Sequence, residues 1–231
     1  MTRPRAATIF PRPRRASVAV VVSELYASIQ GESSHAGRPC AFIRLTGCPL
    51  RCAWCDTAFA YQGGRAMGIG EAIEAVGEFG LPLVEVTGGE PLAQEGCLDL
   101  LAGLCDAGYE TLLETSGAID VGPVDPRVIK ILDIKCPASA MSDRNLWENL
   151  DRLGPRDEIK FVLADRADYE WARRVIGRHR VLRDGRPVHL SPVHGVLDPG
   201  RLGEWIVQDR LGARLHVQLH RVAWPQRDRL V

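Results

Sequence analysis

Gly47-Cys48-Pro49-Leu50-Arg51-Cys52-Ala53-Trp54-Cys55-Asp56-Thr57 places three cysteines within eight residues, spaced C-x3-C-x2-C. Three thiolates in one short loop can converge on one face of a small inorganic cluster, and cluster iron prefers thiolate. Four ligands normally fill a four-iron cube, so three leave one iron open to an external chelator. The rival reading is a zinc site with Cys40 as fourth ligand. Cys40 opens the preceding strand-like stretch, eight residues before Cys48. A strand rises about 3.3 Å per residue, so that thiol starts far from the loop unless the loop folds back. Three unrelated buried cysteines would be the blandest reading, and the spacing speaks against it.

The chain has seven cysteines, and an odd count with three clustered is poor material for a disulfide framework. Clustered cysteines without a secretory signal suit metal or redox chemistry in a reducing cytoplasm. Cys97 and Cys105 lie eight apart in a helical stretch, about two turns, and read as core. Cys136 reads as inert.

Outward from the loop, 40–46 (CAFIRLT) is strand-like and alternates after its start. Further strands are expected at 17–22, 81–87, 110–114, 128–134, 159–163, 188–191 and 214–219, with helices at 70–79, 92–106, 144–152, 166–177 and 198–209. Strand and helix alternate from about residue 40 to the end, the pattern of βαβ units and a parallel sheet. The helices are too few for an eight-fold barrel. The expected fold is therefore α/β, a partial, open parallel β/α barrel with its site at the carboxyl ends of the strands.

Composition agrees with one globular domain. Of 231 residues, 45% are apolar and 25% charged, which excludes a disordered, collagenous or coiled-coil chain. Acids and bases cancel at 29 each, so no overall field draws the chain to nucleic acid or a membrane. The apolar run 18–22 is far short of the roughly 20 residues a membrane span needs. The first 15 residues carry five Arg, three Pro and no acid. They lack a signal peptide's apolar core, and prolines would break a transit helix. The expectation is a disordered basic tail over 1–16, or an upstream start codon, before one domain over 17–231; a phosphate-binding arm is the alternative. Only three basic residues are Lys, at 130, 135 and 160, which makes each worth locating.

The triplet Cys48, Cys52, Cys55 after a barrel strand resembles the radical S-adenosylmethionine (SAM) superfamily. Thr87-Gly88-Gly89-Glu90-Pro91, one strand later, is similar to its GGEP motif. The resemblance implies a 4Fe-4S cluster whose open iron takes the amino and carboxylate groups of SAM. It places Trp54 near the adenine and Gly88 and Gly89 against the methionine amino group, where glycine lets backbone approach closely. Over residues 24–222 the resemblance narrows to the 7-carboxy-7-deazaguanine synthase family of 7-deazapurine and queuosine biosynthesis. Ser28-Ile29-Gln30-Gly31-Glu32 with His35-to-Pro39, Phe42-to-Gly47, Asp133-Ile134-Lys135 to Met141, and Val217-Gln218-Leu219-His220-Arg221 carry it.

That resemblance implies a lyase. An electron, from a donor such as flavodoxin, reduces the cluster, and SAM yields a 5′-deoxyadenosyl radical. The radical takes hydrogen from C6 of 6-carboxy-5,6,7,8-tetrahydropterin, and the ring contracts with loss of ammonia to 7-carboxy-7-deazaguanine while SAM is regenerated. It implies a homodimer, and no direct nucleic-acid contact. Among site residues it implies substrate contact for Ile29, Gln30, Gly31, Glu32, Arg44, Thr87 and His220. Cofactor contact falls to Trp54, Cys55, Asp56, Gly88, Gly89, Glu90, Ser116, Asp133, Ile134, Lys135, Ser191, Pro192, Val193 and His194. Thr57 would hold Mg²⁺ against substrate.

Each residue has a plainer reading. Arg44 could form a surface ion pair rather than a planar fork for the substrate carboxylate. Gln30 and Glu32 could be turn residues. His220 could be core, and Asp56 and Thr57 could cap a turn. The usual Lys after the last His is Arg221 here. Some relatives close the site with a terminal carboxylate, whereas this chain continues from Pro225 to Val231. Two rivals share the cysteines: an activase that makes a glycyl radical on a partner protein, which needs no Arg44, Gln30 or His220, and a zinc-binding interaction module.

Overall fold

The strand before the cysteine loop, Pro39–Leu45, is central to a nine-stranded sheet in a computed structural model that describes residues 18–182, 185–227 and 229–230. In chain order the strands are β1 (Ala19–Ile29), β2 (Pro39–Leu45), β3 (Arg65–Gly68), β4 (Leu83–Gly88), β5 (Glu110–Thr115), β6 (Ile129–Lys135), β7 (Glu158–Leu163), β8 (Val188–Pro192) and β9 (Arg214–Leu215). Their spatial order is β3-β1-β2-β4-β5-β6-β7-β8-β9. All neighbours from β2 to β9 are parallel, while β1 runs antiparallel to β2 and β3. The sheet ends at β3 and β9, which do not pair, so the barrel is open. Helices α1 (Ile69–Gly77), α2 (Gly96–Asp106), α3 (Arg166–Arg178) and α4 (Pro199–Gln208) fill four crossovers, and α5 (Leu219–Ala223) follows β9.

Period-two alternation sorts the strands. One face, with Ala41, Ile43, Leu45, Val84, Val86, Leu113, Leu132, Ile134, Phe161 and Leu190, joins the helices in the main core. Leu100, Leu101 and Leu104 of α2 and Tyr169, Ala172 and Ile176 of α3 enter it at helical spacing. Cys97 is fully buried there, and Cys105 packs against it. The other face has an apolar floor of Tyr26, Cys40, Phe42, Leu83, Leu112, Ile129 and Ile131. Farther along the same strands that face turns polar, with Arg44, Glu85, Thr87, Glu114, Asp133, Lys135 and Lys160. Asp165 caps α3 by accepting from Asp168 N, and Asp198 caps α4 by accepting from Arg201 N with Pro199 behind it.

Several expected elements differ. The strand at 17–22 runs on to Ile29, and β3 pairs with its first half. The helix at 92–106 starts at Gly96, after a 3-10 turn at Pro91–Ala93. The strand at 214–219 stops at Leu215 because Leu219 N is drawn to Gly31 O (2.9 Å). The helix at 144–152 is replaced by 3-10 turns Ser142–Arg144 and Trp147–Arg152. Buried Asn149 explains that replacement. Its Oδ1 accepts from Val121 N (3.0 Å), and its Nδ2 donates to Gly117 O (3.1 Å) and Ile119 O (2.9 Å), pinning the segment to the β5–β6 connection. The basic tail expected over 1–16 lies outside the described residues.

Asn149→Ala would strand the Val121 donor and the Ile119 acceptor, Gly117 O keeping Leu146 N, and should cost about 2–4 kcal/mol of stability by denaturant titration. A loss within experimental error would show that the 3-10 turns are held by something else.

Candidate active site

At the carboxyl ends of the parallel strands lies a cavity of about 540 Å³ whose wall includes Cys48, Cys52 and Cys55. All three thiols are free and partly exposed. Burial raises the Cys48 and Cys52 thiols above their ordinary range. The loop is tied to its neighbours by backbone: Gly47 N to Ala60 O (2.8 Å), Glu90 N to Gly47 O (2.8 Å) and Gly89 N to Leu45 O (3.2 Å). These ties explain the two glycines. A Cβ on Gly88, whose φ is +148°, would lie 2.2 Å from Leu45 O, and one on Gly89 would lie 2.3 Å from Gly47 O. The glycines serve the approach of β4 to the cysteine loop before they serve any ligand.

Glu90 is completely buried and is absent from the cavity wall. Its carboxylate accepts from Ser116 N (2.7 Å), Ser116 Oγ (2.5 Å), Thr115 Oγ1 (2.9 Å) and Leu92 N (3.0 Å). Its side chain therefore holds Ser116, which does line the cavity. Ile134 faces the main core by alternation, leaving Asp133 and Lys135 on the cavity side, and Ser191 is buried behind Pro192, Val193 and His194, which line it. Trp54, Asp56, Thr57 and Thr87 line it. Lys135 Nζ donates to Asp133 Oδ2 (2.8 Å), while buried Asp133 Oδ1 has no partner among the described residues.

At the other end, Ile29, Gln30, Gly31, Glu32, Arg44 and His220 line the cavity. Gln30 is already engaged: Nε2 donates to Glu85 Oε2 (2.8 Å) and Oε1 accepts from Glu32 N (2.6 Å). Glu32 pairs with Lys160 and accepts from Gln218 Nε2 (2.7 Å). A Cβ on Gly31 would meet His220 Nδ1 at 2.1 Å, so the amino-terminal segment and α5 meet at a position that only glycine fills. Burial lowers His220 below the usual imidazole range. Arg44 is not a surface pair: Nε donates to buried Glu24 Oε2 (3.0 Å) and Nη2 to Tyr26 OH (2.9 Å).

Sequence reasoning missed Tyr26, Glu85, Glu114, Lys160 and Gln218 as cavity residues. A charge inside an otherwise apolar strand, as in LVEVT, LLET and EIKFV, was the available signal. Lys160 sits among Glu32, Glu114 and Asp133, and its ammonium stays protonated well above the lysine range because their charges outweigh its burial. One ammonium cannot neutralise every carboxylate near it. Glu32, with Lys160 and Gln218 both donating, is held well below the usual range. Burial pushes Glu114 up to about 8 and Glu85 up to about 7.

The donor set fits a cube better than a single ion. Zinc gathers four ligands at about 2.3 Å, whereas a cube spreads its thiolates over separate irons. Among the described residues no three His, Cys, Asp or Glu side chains gather around one ion position. Cys40, the proposed fourth zinc ligand, is fully buried in the apolar floor.

Both raised carboxyls bind protons in the folded protein that the unfolded chain releases. Their contribution to stability is present below the ordinary 4.5 and is lost as pH rises toward about 8. Glu85→Gln should therefore shrink the difference in unfolding free energy between about pH 5 and about pH 8 by roughly 1–3 kcal/mol. Equal slopes in the two proteins would place the Glu85 titration elsewhere.

Comparison with known proteins places this geometry. The family model of the radical SAM superfamily matches residues 42–134. The chain is 47% identical over 207 residues to 7-carboxy-7-deazaguanine synthase of Chlorobaculum tepidum, covering 88% of this chain and 93% of that protein. It is 44% identical over 217 residues to the protein of that name from Koribacter versatilis, covering 88% and 96%. The crystal structure of QueE from Escherichia coli superposes with a TM-score of 0.72 at 26% identity, over 87% of this chain and 95% of that one.

Proposed function

This chain belongs to the 7-carboxy-7-deazaguanine synthase family of radical SAM enzymes, and we propose that it converts 6-carboxy-5,6,7,8-tetrahydropterin to 7-carboxy-7-deazaguanine with loss of ammonia. The observation that carries the reading is the joining of Gln30–Glu32 to Gln218–His220 over the cavity that also holds the three thiols. That junction has no part in an activase, whose substrate is another protein's backbone.

Bound cluster and SAM supply the radical that removes a hydrogen atom from substrate. Cys48, Cys52 and Cys55 would hold three irons. Gly88, Gly89, Ser116, Lys135, Trp54 and the Pro192–His194 stretch would hold SAM, with the unpartnered Asp133 Oδ1 as an available acceptor. Arg44 would take the substrate carboxylate with the guanidinium N–H groups that Glu24 and Tyr26 leave over. Thr87 and His220 would bound the ring, and Glu32 would meet its polar edge. The enclosing segments exclude water from the reacting centre.

We further assign Mg²⁺ to Thr57, whose hydroxyl lines the cavity 3.7 Å from Cys55 Sγ, with Asp56 beside it. The described residues offer no cage of three or more acidic or imidazole ligands, so substrate oxygens and water would complete the octahedron. A cytoplasmic homodimer fed by an electron donor such as flavodoxin completes the proposal. It accords with the free cysteines, and among the described residues no helix is long and apolar enough to cross a membrane.

Anaerobic incubation with SAM, reductant and the carboxylated pterin should yield a product lighter by one ammonia, seen by mass spectrometry. Reconstituted protein should hold about four irons per chain. Cys52→Ala should lose the cluster while Cys97→Ala keeps it; SAM cleavage with no pterin turnover would instead support an activase. Turnover should rise with Mg²⁺, and Thr57→Ala should weaken that stimulation at unchanged iron content. Full activity in EDTA, cluster intact, would remove the magnesium assignment.

A further inference from the structure

Glu24 lies on β1 directly opposite Arg44 of β2, and its side chain is only 2% exposed. A carboxylate buried so deeply needs cationic partners. It has two, one per oxygen. Oε2 accepts from Arg44 Nε (3.0 Å), and Oε1 accepts from Arg229 Nε (2.7 Å). The same two guanidiniums flank one ring: Arg229 stands 4.5 Å and Arg44 5.9 Å from the centroid of Phe59. Phe59 belongs to the 3-10 turn Ala58–Tyr61 that leaves the cysteine loop. Arg229 thus shares an anchor with the arginine in the cavity wall.

We propose that Arg229 and Glu24 are positioning residues that aim the Arg44 guanidinium at the substrate carboxylate, an inference that rests on the reading of Arg44 given above. The geometry supplies the reason. A carboxylate with both oxygens available takes a guanidinium in a bidentate pair. Arg229 occupies Oε1, so Glu24 engages Arg44 through Nε alone. Nη2 goes to Tyr26 OH (2.9 Å), and Nη1 has no acceptor among the described residues. Without Arg229 the freed Oε1 competes for the remaining N–H groups of Arg44, and the guanidinium turns from the cavity toward β1. The side chain of Arg229 is 58% exposed, so its pair adds little to folding. Its loss should be felt in substrate binding rather than in stability.

The test uses cluster-loaded enzyme with SAM. Arg229→Gln should raise KM for the carboxylated pterin about five- to tenfold, with kcat moving far less. Arg229→Lys, which keeps the charge but loses the planar ring contact, should fall between. Inhibition by a tetrahydropterin lacking the 6-carboxylate should be unchanged by Arg229→Gln, since that ligand does not call on Arg44. An unchanged KM in Arg229→Gln, or an inhibition constant that rises in step with KM, overturns the inference, the second by showing a general loss of closure. Arg44→Lys separates this from the underlying reading. It should raise KM about 30-fold or more, as expected for loss of a charge-assisted fork. If Arg44→Lys leaves KM unchanged, the Arg44 reading itself fails. If only Arg44→Lys raises it, Arg229 alone is misassigned.

Discussion

One buried ammonium organises the site. Lys160 projects from β7 to carboxylates from three other parts of the chain: Glu32 after β1, Glu114 on β5 and Asp133 on β6. Burying any one of these charges alone would be costly, and removing one partner from such a set leaves another uncompensated. The parallel register brings them together, since Asp133 lies opposite Lys160 and both face the cavity side. Glu32 then recruits Gln218, so a segment that would otherwise continue β9 leaves the sheet and bridges the cavity.

The same arrangement explains why the raised carboxyls lie where they do. Burial raises every carboxyl in this wall that lacks enough donors, and the buried acids Glu32 and Glu85 differ in theirs. Glu32 has Gln218 as a second donor and is held charged. Glu85 has only the Gln30 amide and is pushed up to about 7. The wall thus gathers five carboxyl groups, two of them raised by burial. Carboxyls perturbed in this way by burial and neighbouring charge cluster at functional sites.

Much of this was legible in the sequence, and what was not follows a physical pattern. Each of the eight expected strands has a counterpart, although β9 keeps only Arg214–Leu215; the buried parallel ones read as apolar runs bounded by turns. The cysteine loop and Gly88-Gly89 were legible because their function lies in consecutive residues. Glu90 lies in the legible motif, but a motif does not tell that its carboxylate holds the Thr115–Ser116 turn. The helix expected over 144–152 failed because one buried amide, Asn149, outweighed a helical pattern. β3 was missed because its four residues carry almost no signal of their own and are held as a strand by pairing with Ala19–Val22 of β1.

The least legible feature was the joining of distant segments. Nothing in Gly31 by itself announces a contact with His220, nor anything in Glu24 a contact with residues two hundred positions later. These junctions share a cause. An open barrel leaves one side of its cavity without strands, and whatever closes that side must come from segments before β2 and after β9. Gln30–Glu32, Gln218–Arg221 and Arg229 supply it, each tied to the barrel by a buried or half-buried acid, Glu32 or Glu24, or by the close approach at Gly31. The cysteine loop is carried on a rigid parallel core, whereas the substrate end is assembled from both flanks of the chain and held by ion pairs. Recognition of the substrate is accordingly the part of this enzyme most open to change by substitution at the flanks, while the cluster end tolerates little, because the backbone atoms that a Cβ on Gly88 or Gly89 would strike cannot move aside.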